Sequence, residues 1–537
     1  MQPQPPQSRA ADDRTSTADP PLSVDQSLLS SIVAATTSGA TAAGLTTSDS
    51  TTAAQPAAIA GRWRRFREAP DAATAILAWL GGPFRGSRDD LARRLNNHVA
   101  YIDRLLNAQL NEVLHAPPFQ KLEASWRGLA YLVEQADRED DPMIKIRVLN
   151  ASWRDLERDS DRAVEFDQSQ LFRKVYESEF GMPGGEPFGL LIGDYEVQPR
   201  PSSAHPHDDL RVVESIMGVA AAAFCPVVLN AHPAMFGLDD FTRLEQRLDH
   251  ERTFNGVDYV KWNALRAKQD ARFLGITLPR VLMRTPYEDD GDRVDRFRFH
   301  EDVRGPDRSK YLWGGAGYAF GSVLMRAFAQ AGWLADIRGA RRGLEGGGLV
   351  TGLPTHGFAT DQNGYVNRSS TDVIITEDLE KQLSDLGFMP LCFSKDTEYS
   401  VFYSNQSLQK PQRFDRPAAS VNAQISAMLQ YMLCVSRFAH YIKVLGRDKL
   451  GALATYEELE SFLRNWIVRY VTSDSEASPD TKARYPLRDA DVRVEPTPGK
   501  AGSYQCLMRL MPHYELDELQ ASVRVVAELS PRQGESA

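Results

Sequence analysis

The chain has 537 residues, of which 42% are hydrophobic, so it has the length of roughly two to four domains and enough apolar residues for a large core. Acidic residues outnumber basic ones by 72 to 62, and the net charge of −10 argues against broad electrostatic binding to nucleic acid or to an anionic membrane. No apolar run of about 18 residues and no signal sequence occurs, and the four cysteines form no CxxC pair. We therefore expect a cytoplasmic protein with reduced thiols, no membrane insertion and no nucleic-acid partner.

Residues 1–60 are rich in Ser, Thr, Ala and Pro and poor in aromatic residues, which predicts a disordered arm. Within the arm, residues 24–36 place four apolar side chains on one side of a short helix: Leu28, Leu29, Ile32 and Val33. A helix this short is marginal alone, so the apolar stripe suits a groove on a partner. The alternative is a chance pattern in an Ala-rich tail.

Residues 61–140 are predicted to be helical. The basic stretch 62–67, RWRRFR, is interpreted as the start of an amphipathic helix or a solvated arm rather than as an RNA-binding strip, because no second basic cluster lies nearby. Apolar residues recur at helical spacing over 72–80, 89–114 and 119–135, and Pro117-Pro118 is expected to end the second of these helices. These helices are predicted to serve packing.

Residues 141–408 are predicted to form an α/β core. The alternation of IKIRVL over 144–149 predicts a first strand with one solvated face, and an acidic helical region follows over 152–180. The next stretch, 184–197, reads GGEPFGLLIGDYEV, and its apolar run over 188–192 predicts a strand that is covered on both faces. A helix over 208–223 and a strand over 226–230 complete a predicted βαβ unit with parallel strands.

Asp194 directly follows the predicted strand 188–192. Because open α/β sheets bind ligands at the carboxyl ends of their strands, Asp194 is a candidate catalytic or ribose-binding acid. The alternative is that Asp194 closes a turn or caps the next helix.

Other motifs for chemistry are weak. Gly315 and Gly317 are followed by Phe320, where a dinucleotide-binding loop needs glycine, and the glycines of 346–348 lack the Gly-Lys-Ser/Thr ending of a P-loop. His205 and His207 are candidate metal ligands, but the proline between them keeps the segment extended.

The residue after His207, Asp208, is better suited to cap the following helix than to bind a metal. His440 stands alone on the core-facing side of a predicted helix. We expect no metal and no cofactor.

The later regions are predicted from the same patterns. Residues 271–284 continue the core, and the segment 313–320 leads into a helix that ends near residue 330. Residues 409–490 are helical, with helices over 421–445 and 456–471, and residues 491–537 form a β region with strands over 492–495, 504–511 and 522–529. The expected fold is mixed α/β, with a central sheet flanked by helices.

Five stretches, taken in order, resemble the large subunit of the type VI secretion contractile sheath, the TssC (VipB) family. The resemblance covers about residues 70–530, and the stretches that carry it are FQKLEASWRGL (119–129), GGEPFGLLIGDYEV (184–197), ARFLGITLPR (271–280), YLWG (311–314) and SRFAHYIK (436–443). The resemblance implies a structural protein without enzymatic activity. It also implies an obligate small partner subunit, TssB, with which the chain polymerises into a sheath around a tube of Hcp.

In that family the sheath grows from a baseplate, its contraction drives the tube outward, and the ClpV unfoldase then extracts the large subunit by an N-terminal helix. The resemblance therefore implies that Leu28, Leu29, Ile32 and Val33 bind ClpV. It also implies that the C-terminal strands, at Val494, Leu507, Val523 and Val525, are exchanged between subunits. Two alternatives stay open: an enzyme with a site near Asp194, and an adaptor that never polymerises.

Overall fold

A computed structural model describes the chain over residues 56–84, 87–180, 182, 184–203, 205–245, 250–291, 297–305, 307–341, 345–358, 368–394, 397–449, 456–474, 476–496 and 504–513. The predicted helix at 24–36 and the predicted strand at 522–529, with Val523 and Val525, lie outside these residues. The described parts of residues 1–112 and 290–299 form one compact unit, and those of residues 113–289 and 300–537 form another.

Sixteen α-helices, counted over the described residues, run in chain order as follows: α1 Pro56–Arg67, α2 Ala72–Leu80, α3 Arg88–Leu114, α4 Pro117–Glu139, α5 Trp153–Arg162, α6 Gln170–Phe172, α7 Ser178–Phe180, α8 Asp209–Ala223, α9 His250–Phe254, α10 Val260–Arg266, α11 Gly317–Ala331, α12 Glu377–Asp385, α13 Pro417–Ser426, α14 Leu429–Lys449, α15 Tyr456–Ile467 and α16 Pro479–Arg484. The strands of the same ranges are β1 Leu191–Val197, β2 Val227–Ala231, β3 Leu274–Leu278, β4 Val281–Leu282, β5 Trp313–Gly314, β6 Leu349–Val350, β7 His356–Gly357, β8 Arg368–Ser369, β9 Met389–Phe393, β10 Ser400–Phe402, β11 Leu487–Pro496 and β12 Tyr504–Pro512.

The first unit contains α1, α2 and most of α3. Asp71 caps α2 by accepting a hydrogen bond from the Thr74 amide at 2.7 Å, and Gly81 ends the helix in the left-handed conformation that glycine adopts without strain. Phe66 of α1 packs against Trp79 of α2 with ring centroids 5.9 Å apart. The basic stretch 62–67 is therefore helical, as one interpretation predicted, but it ends a helix rather than beginning one.

The core of the second unit is a six-stranded mixed sheet in the order β1-β2-β3-β9-β10-β6. The first four strands are parallel, and β10 is antiparallel to both of its neighbours. Along β2, Leu229 joins the apolar cluster that contains Met217 of α8, whereas the preceding residue, Val228, joins the cluster of Phe320 on α11. Because neighbouring residues of a strand face opposite sides, helices cover both faces of the sheet. The predicted βαβ unit and the mixed α/β fold are confirmed.

The first sheet strand lies three residues later than predicted. β1 begins at Leu191, which pairs with Val227, and it continues to Val197, which pairs with Ala231. The apolar residues 188–190 precede the pairing, and the strand continues through Gly193, where a Cβ atom would approach Leu229 to 2.4 Å. Asp194 thus lies within the strand, so its assignment to a turn is wrong.

The predicted strand at 144–149 is also absent as a strand. Residues 144–152 form neither helix nor turn, and they pair with no described strand. The sequence pattern could not supply a partner, because pairing is a property of two segments.

Two helix boundaries differ from the prediction for local reasons. Pro117 does not merely end α3 but occupies the first turn of α4, where a missing amide hydrogen costs nothing. Asp208 precedes α8 but makes no side-chain capping bond, and its carboxylate binds Lys261 at 2.9 Å instead.

The C-terminal region packs around an aromatic cluster. Trp333 stacks on Phe438 of α14 with centroids 4.0 Å apart, and Ile467 of α15 belongs to the same apolar cluster as Val492 and Val494 of β11. None of the described helices combines the length and the hydropathy that a bilayer-spanning helix requires.

Candidate functional site

Asp194, the candidate acid, is engaged in contacts between secondary-structure elements. The Ser125 hydroxyl of α4 donates a hydrogen bond to its carboxylate, and the Tyr318 hydroxyl of α11 is a second hydrogen-bonding partner. Burial, and then the nearby Asp194 charge, raise the pKa of Tyr318 well above its ordinary range. Asp194 therefore holds two helices against the edge strand of the sheet.

The packing around this carboxylate leaves little room for a substrate. The ring of Tyr318 lies directly over Gly128 of α4, where a Cβ atom would come within 2.4 Å of the ring. Asp194 also lies in the middle of β1 and not at its carboxyl end, so the reason for expecting a ligand there no longer holds.

The two candidate metal ligands are each paired with a carboxylate. His205 Nε2 lies 2.6 Å from Asp209 Oδ1, and His207 Nδ1 lies 2.6 Å from Glu157 Oε2. Asp209 also accepts hydrogen bonds from the Trp153 indole and the Gln198 amide. Over the described residues, no group of three or more His, Cys, Asp or Glu side chains is arranged to hold a metal ion. The histidine pairs fix the loop between β1 and α8.

A buried ion network escaped the sequence analysis. The Arg284 guanidinium binds Glu301 Oε2 at 2.5 Å and Glu123 Oε1 at 2.8 Å, and Glu123 also binds Arg127 at 2.8 Å. Arg284 and Glu301 are buried. An arginine at the end of the apolar stretch 271–284 was the available signal, but its partners lie far away in the sequence.

Two of the residues predicted for strand exchange, Val494 and Leu507, lie in an antiparallel hairpin of β11 and β12. Val494 pairs with Cys506, and Arg493 pairs with Leu507. Val494 is buried against α15, whereas Leu507 is 45% exposed on the other face. The structure thus brings the strands of Val494 and Leu507 together within one chain.

The two outer edges of this hairpin differ. On β11, the Val494 amide donates to Glu460 Oε2 at 2.9 Å, and the Val492 carbonyl accepts from the Arg464 guanidinium at 3.1 Å. Both side chains come from α15, so this helix covers the outer edge of β11 with polar groups. Sequence reasoning missed this role, since Glu460 and Arg464 look like an ordinary i, i+4 ion pair.

The outer edge of β12 is more open. The outward Val494 amide puts Val494 and Cys506 in a non-hydrogen-bonded pair, so the amide and carbonyl of Cys506 point away from β11, as do those of Met508. The Tyr431 hydroxyl binds the Leu510 carbonyl at 3.0 Å. Among the described residues, no main-chain partner binds the outward groups of Cys506 and Met508.

Two helices present apolar faces to solvent. On α3 the exposed residues recur at helical spacing and include Val99, Ile102, Leu105, Leu106 and Leu110. On α4, Leu122 and Trp126 are exposed, and Trp126 is 65% exposed, while Gly128 and Leu132 of the same helix are buried. Contiguous apolar surface of this kind marks protein–protein contacts.

Two family models match the chain and together span most of it. Residues 96–409 match VipB, described as EvpB/VC_A0108, tail sheath N-terminal domain. Residues 418–529 match VipB_2, described as EvpB/VC_A0108, tail sheath gpW/gp25-like domain. The chain belongs to the VipB tail sheath family.

A curated VipB-family relative gives the system in which such chains act. The chain is 38% identical over 444 residues to the type VI secretion system sheath protein TssC1 of Pseudomonas aeruginosa, and the match covers 82% of this chain and 87% of that protein. The sequence-based recognition is confirmed, and the chain is a subunit of a type VI secretion contractile sheath.

Two solved structures also resemble this VipB-family chain. A chain of the anti-feeding prophage baseplate matches with a TM-score of 0.33 at 11% identity, covering 70% of this chain and 81% of that one. A chain of the contracted anti-feeding prophage sheath matches with a TM-score of 0.27 at 9% identity, covering 57% of this chain and 65% of that one.

The two family matches cover the structural elements described above. The hairpin, α14 and α15 all fall within the gpW/gp25-like domain match, and Asp194 and the central sheet fall within the N-terminal domain match.

Proposed function

We propose that this chain is the large subunit of a heteromeric sheath, that it pairs with a small TssB subunit and that the pairs polymerise around a tube of Hcp from a baseplate. Contraction of the sheath then drives the tube and its effectors out of the cell. The observation that carries this proposal is the difference between the two edges of the hairpin. Glu460 and Arg464 cover the β11 edge. On the β12 edge, no described main-chain group binds the outward amides and carbonyls of Cys506 and Met508.

An open strand edge is a hazard in a monomer, because it templates pairing with another chain. In a polymer the same edge is a means of assembly, since an added strand supplies main-chain hydrogen bonds of fixed direction. We infer that a strand of a neighbouring subunit adds to β12. Strands joined in this way keep subunits connected while larger surfaces repack during contraction.

The exposed face of α3 supports the pairing with a small subunit. Its apolar side chains are too numerous to be explained as scattered surface residues, and burying each one on a partner contributes roughly 1.5–3 kcal/mol before ordering costs. We propose that the small subunit covers this face. We therefore expect the chain to be stable only when that subunit is bound.

Two parts of the proposal concern segments outside the described residues. Leu28, Leu29, Ile32 and Val33 are proposed as the ClpV-binding stripe, and unchanged ClpV binding by Leu29→Asp would remove that assignment. Val523 and Val525 are proposed to lie on an exchanged strand. Proline at position 525 removes a ladder hydrogen bond, so normal sheaths of Val525→Pro would contradict that role.

We further propose that the chain works in the cytoplasm and catalyses no reaction. The engagement of Asp194 by Ser125 and Tyr318 supports a structural role for the one acid that resembled a catalytic group. An enzyme would instead show saturable turnover or a small molecule that co-purifies with the chain.

Co-expression with the small sheath subunit tests the proposal. We expect negative-stain electron microscopy to show tubules with cogwheel cross-sections. A discrete complex without tubules would favour an adaptor, and turnover without tubules would favour an enzyme.

A further inference from the structure

The chain passes three times between its two compact units. The boundaries lie at residues 112–113, 289–290 and 299–300, and the chain is described across each of them. On the side of the second unit, one residue within two positions of each boundary belongs to or contacts the buried ion network: His115, Tyr287 and Glu301. The three connections therefore enter the second unit beside the same group of side chains.

The Glu301 carboxylate joins its own connection to the other two. Its Oε2 accepts a hydrogen bond from the Tyr287 amide at 2.9 Å, and the Glu301 amide donates to the Tyr287 carbonyl at 2.9 Å. Its Oε1 lies 3.4 Å from His115 Nε2. Only 1% of the surface of Glu301 is exposed, so these contacts are shielded from water.

Arg284 fixes this carboxylate to the second unit. Its guanidinium binds Glu301 with Nη1 at 2.5 Å and Nη2 at 3.1 Å, and it lies over the Tyr287 ring at 4.3 Å. Its Nε donates to Glu123 of α4 at 2.8 Å. Separating these groups leaves a buried charge without its partner, which is strongly unfavourable. The four residues His115, Arg284, Tyr287 and Glu301, named the Glu301 cluster, therefore hold the three connections at α4.

The connecting residues outside the Glu301 cluster are exposed. Val113, in the last turn of α3, is 51% exposed, and residues 288–290 and His300 are exposed as well. Exposed segments with few packing contacts open locally at lower free energy than a buried core does. Local stability is therefore expected to change abruptly at the Glu301 cluster.

We propose that the Glu301 cluster confines unfolding to the first unit. When the helices of the first unit open, the cluster keeps all three connections fixed to the second unit, and the central sheet stays folded. A partner that binds or leaves the exposed face of α3 then disturbs the first unit alone. In the competing explanation the network only adds stability to the second unit, and opening spreads through the connections whether or not Glu301 is present.

Trp79→Ala opens the first unit without touching the Glu301 cluster. Trp79 of α2 packs against Phe66 of α1 and donates a hydrogen bond to His98 Nδ1 of α3 at 3.1 Å, so it joins the three helices of that unit. Hydrogen exchange is measured by mass spectrometry on the full chain co-expressed with the small subunit. We expect the amides of residues 56–84 to exchange at least about tenfold faster than in the wild type, because the variant loses the contacts that hold the helices together.

The amides at the bases of the connections decide the proposal. In Trp79→Ala, residues 114–118, 284–288 and 300–302 should keep their wild-type exchange rates, and so should the core strand β2. Faster exchange at all three bases in this variant would overturn the proposal, because opening would then have passed the intact Glu301 cluster.

A second substitution tests whether Glu301 is the residue that stops the opening. In Trp79→Ala/Glu301→Gln, the amides of Tyr287 and Glu301 should exchange at least about tenfold faster than in Trp79→Ala, because the buried Arg284 loses a carboxylate that fixes the connections. The matched control, Trp79→Ala/Glu123→Gln, also removes a carboxylate from Arg284, but Glu123 binds Arg127 of α4 instead of a connection. This control should leave the three bases protected.

Equal exchange at the bases in the two double variants would overturn the proposal. The single variants Glu301→Gln and Glu123→Gln give the same contrast if a double variant fails to fold, and the β2 amides report such a failure. Glu301→Gln should then speed exchange at the three bases while β2 stays protected. Equal acceleration of the bases and of β2 would show that Glu301 only stabilises the second unit as a whole.

Discussion

The strands β2 and β12 show two different uses of a β-strand in one chain. β2 pairs with β1 and β3, and all five of its residues are buried. Among the described strands, β12 pairs with β11 alone, and its exposed residues Leu507, Arg509 and Met511 alternate with more buried ones. Within the described part of the chain, the core strand therefore has a partner on each side, whereas β12 has a partner on one side.

The same contrast separates the two positions where sequence patterns predicted strands before residue 200. β1 is held by parallel pairing to β2, and it carries Asp194 as a clamp between helices. The segment 143–151 is anchored beside β1 at Ala151 but pairs with no described strand. Stability of the folded chain should therefore respond to changes in the core, and assembly should respond to changes at the edges.

The largest loss of stability is expected from the core. Trp262 is fully buried and stacks on Phe388 with centroids 5.8 Å apart. Trp262→Ala should lower the free energy of unfolding by about 4 kcal/mol, because it leaves a large cavity. The control, Trp126→Ala, removes an exposed indole and should change unfolding in denaturant by less than about 1 kcal/mol.

A slightly smaller loss is expected from the buried ion network. Arg284→Ala leaves Glu123 and Glu301 without their shared guanidinium, which should lower the free energy of unfolding by about 3 kcal/mol. Arg93→Ala removes a guanidinium from an exposed pair with Asp90, and it should leave the free energy of unfolding nearly unchanged. Equal effects in a denaturant titration would contradict the distinction between buried and surface charge.

A pH-dependent effect is expected at Asp372. Burial raises the pKa of this carboxyl to about 7, and one of its oxygens has no hydrogen-bond partner among the described residues. Between about pH 4 and pH 7 the folded state binds the proton that the unfolded state has released, so this group makes the fold less stable as pH rises through that window. Asp372→Asn should remove this contribution. The free energy of unfolding of the variant, relative to that of the wild type, should therefore increase as pH rises from about 4 to 7.

His440 gives the opposite dependence on pH and serves as the comparison. Burial lowers the pKa of its imidazole to about 4, and its Nε2 lies 3.0 Å from the Ala223 carbonyl oxygen. Its contribution to stability is therefore present above the ordinary histidine range and declines as pH falls toward 4. Unfolding of Asp372→Asn and His440→Gln, measured from about pH 4 to pH 8, separates the two groups, and a parallel response of both variants would contradict these assignments.

The smallest effect on stability, with the largest effect on assembly, is expected at the β12 edge. The Met508 amide points outward, so Met508→Pro removes no hydrogen bond of the hairpin, whereas Leu507→Pro removes a bond to β11. We expect Met508→Pro to keep its unfolding midpoint and its small partner yet to form no tubules. Leu507→Pro should lose stability as well, and tubules from Met508→Pro would contradict the role of this edge.

Much of the core was predictable because its signals are local. The apolar runs at 188–192 and 226–230 with a helix between them predicted the parallel βαβ unit, and periodicity predicted α3 and α4. The boundary of β1 was missed because its register depends on Val227 and Ala231, not on its own sequence. The role of Asp194 depends on Ser125 and Tyr318, which lie far away along the chain.

The assembly edges were predictable only in part. The strands of Val494 and Leu507 were found from alternation, but no sequence pattern shows that Glu460 and Arg464 cover one edge of the hairpin. The strand predicted at 144–149 does not form within the described residues, since alternation within one segment supplies no pairing partner. Patterns within one sequence report side-chain faces, whereas edges are defined by what lies beside them.

The described core strand β2 is paired on both sides within the chain, and we propose that a neighbouring subunit completes the β12 edge. Cryo-electron microscopy of sheaths assembled from the wild-type chain and the small subunit tests it most directly. We predict a strand of another subunit bound along the outward groups of Cys506 and Met508, and none along the β11 edge that Glu460 and Arg464 cover. An intact sheath in which the β12 edge faces water would contradict the account.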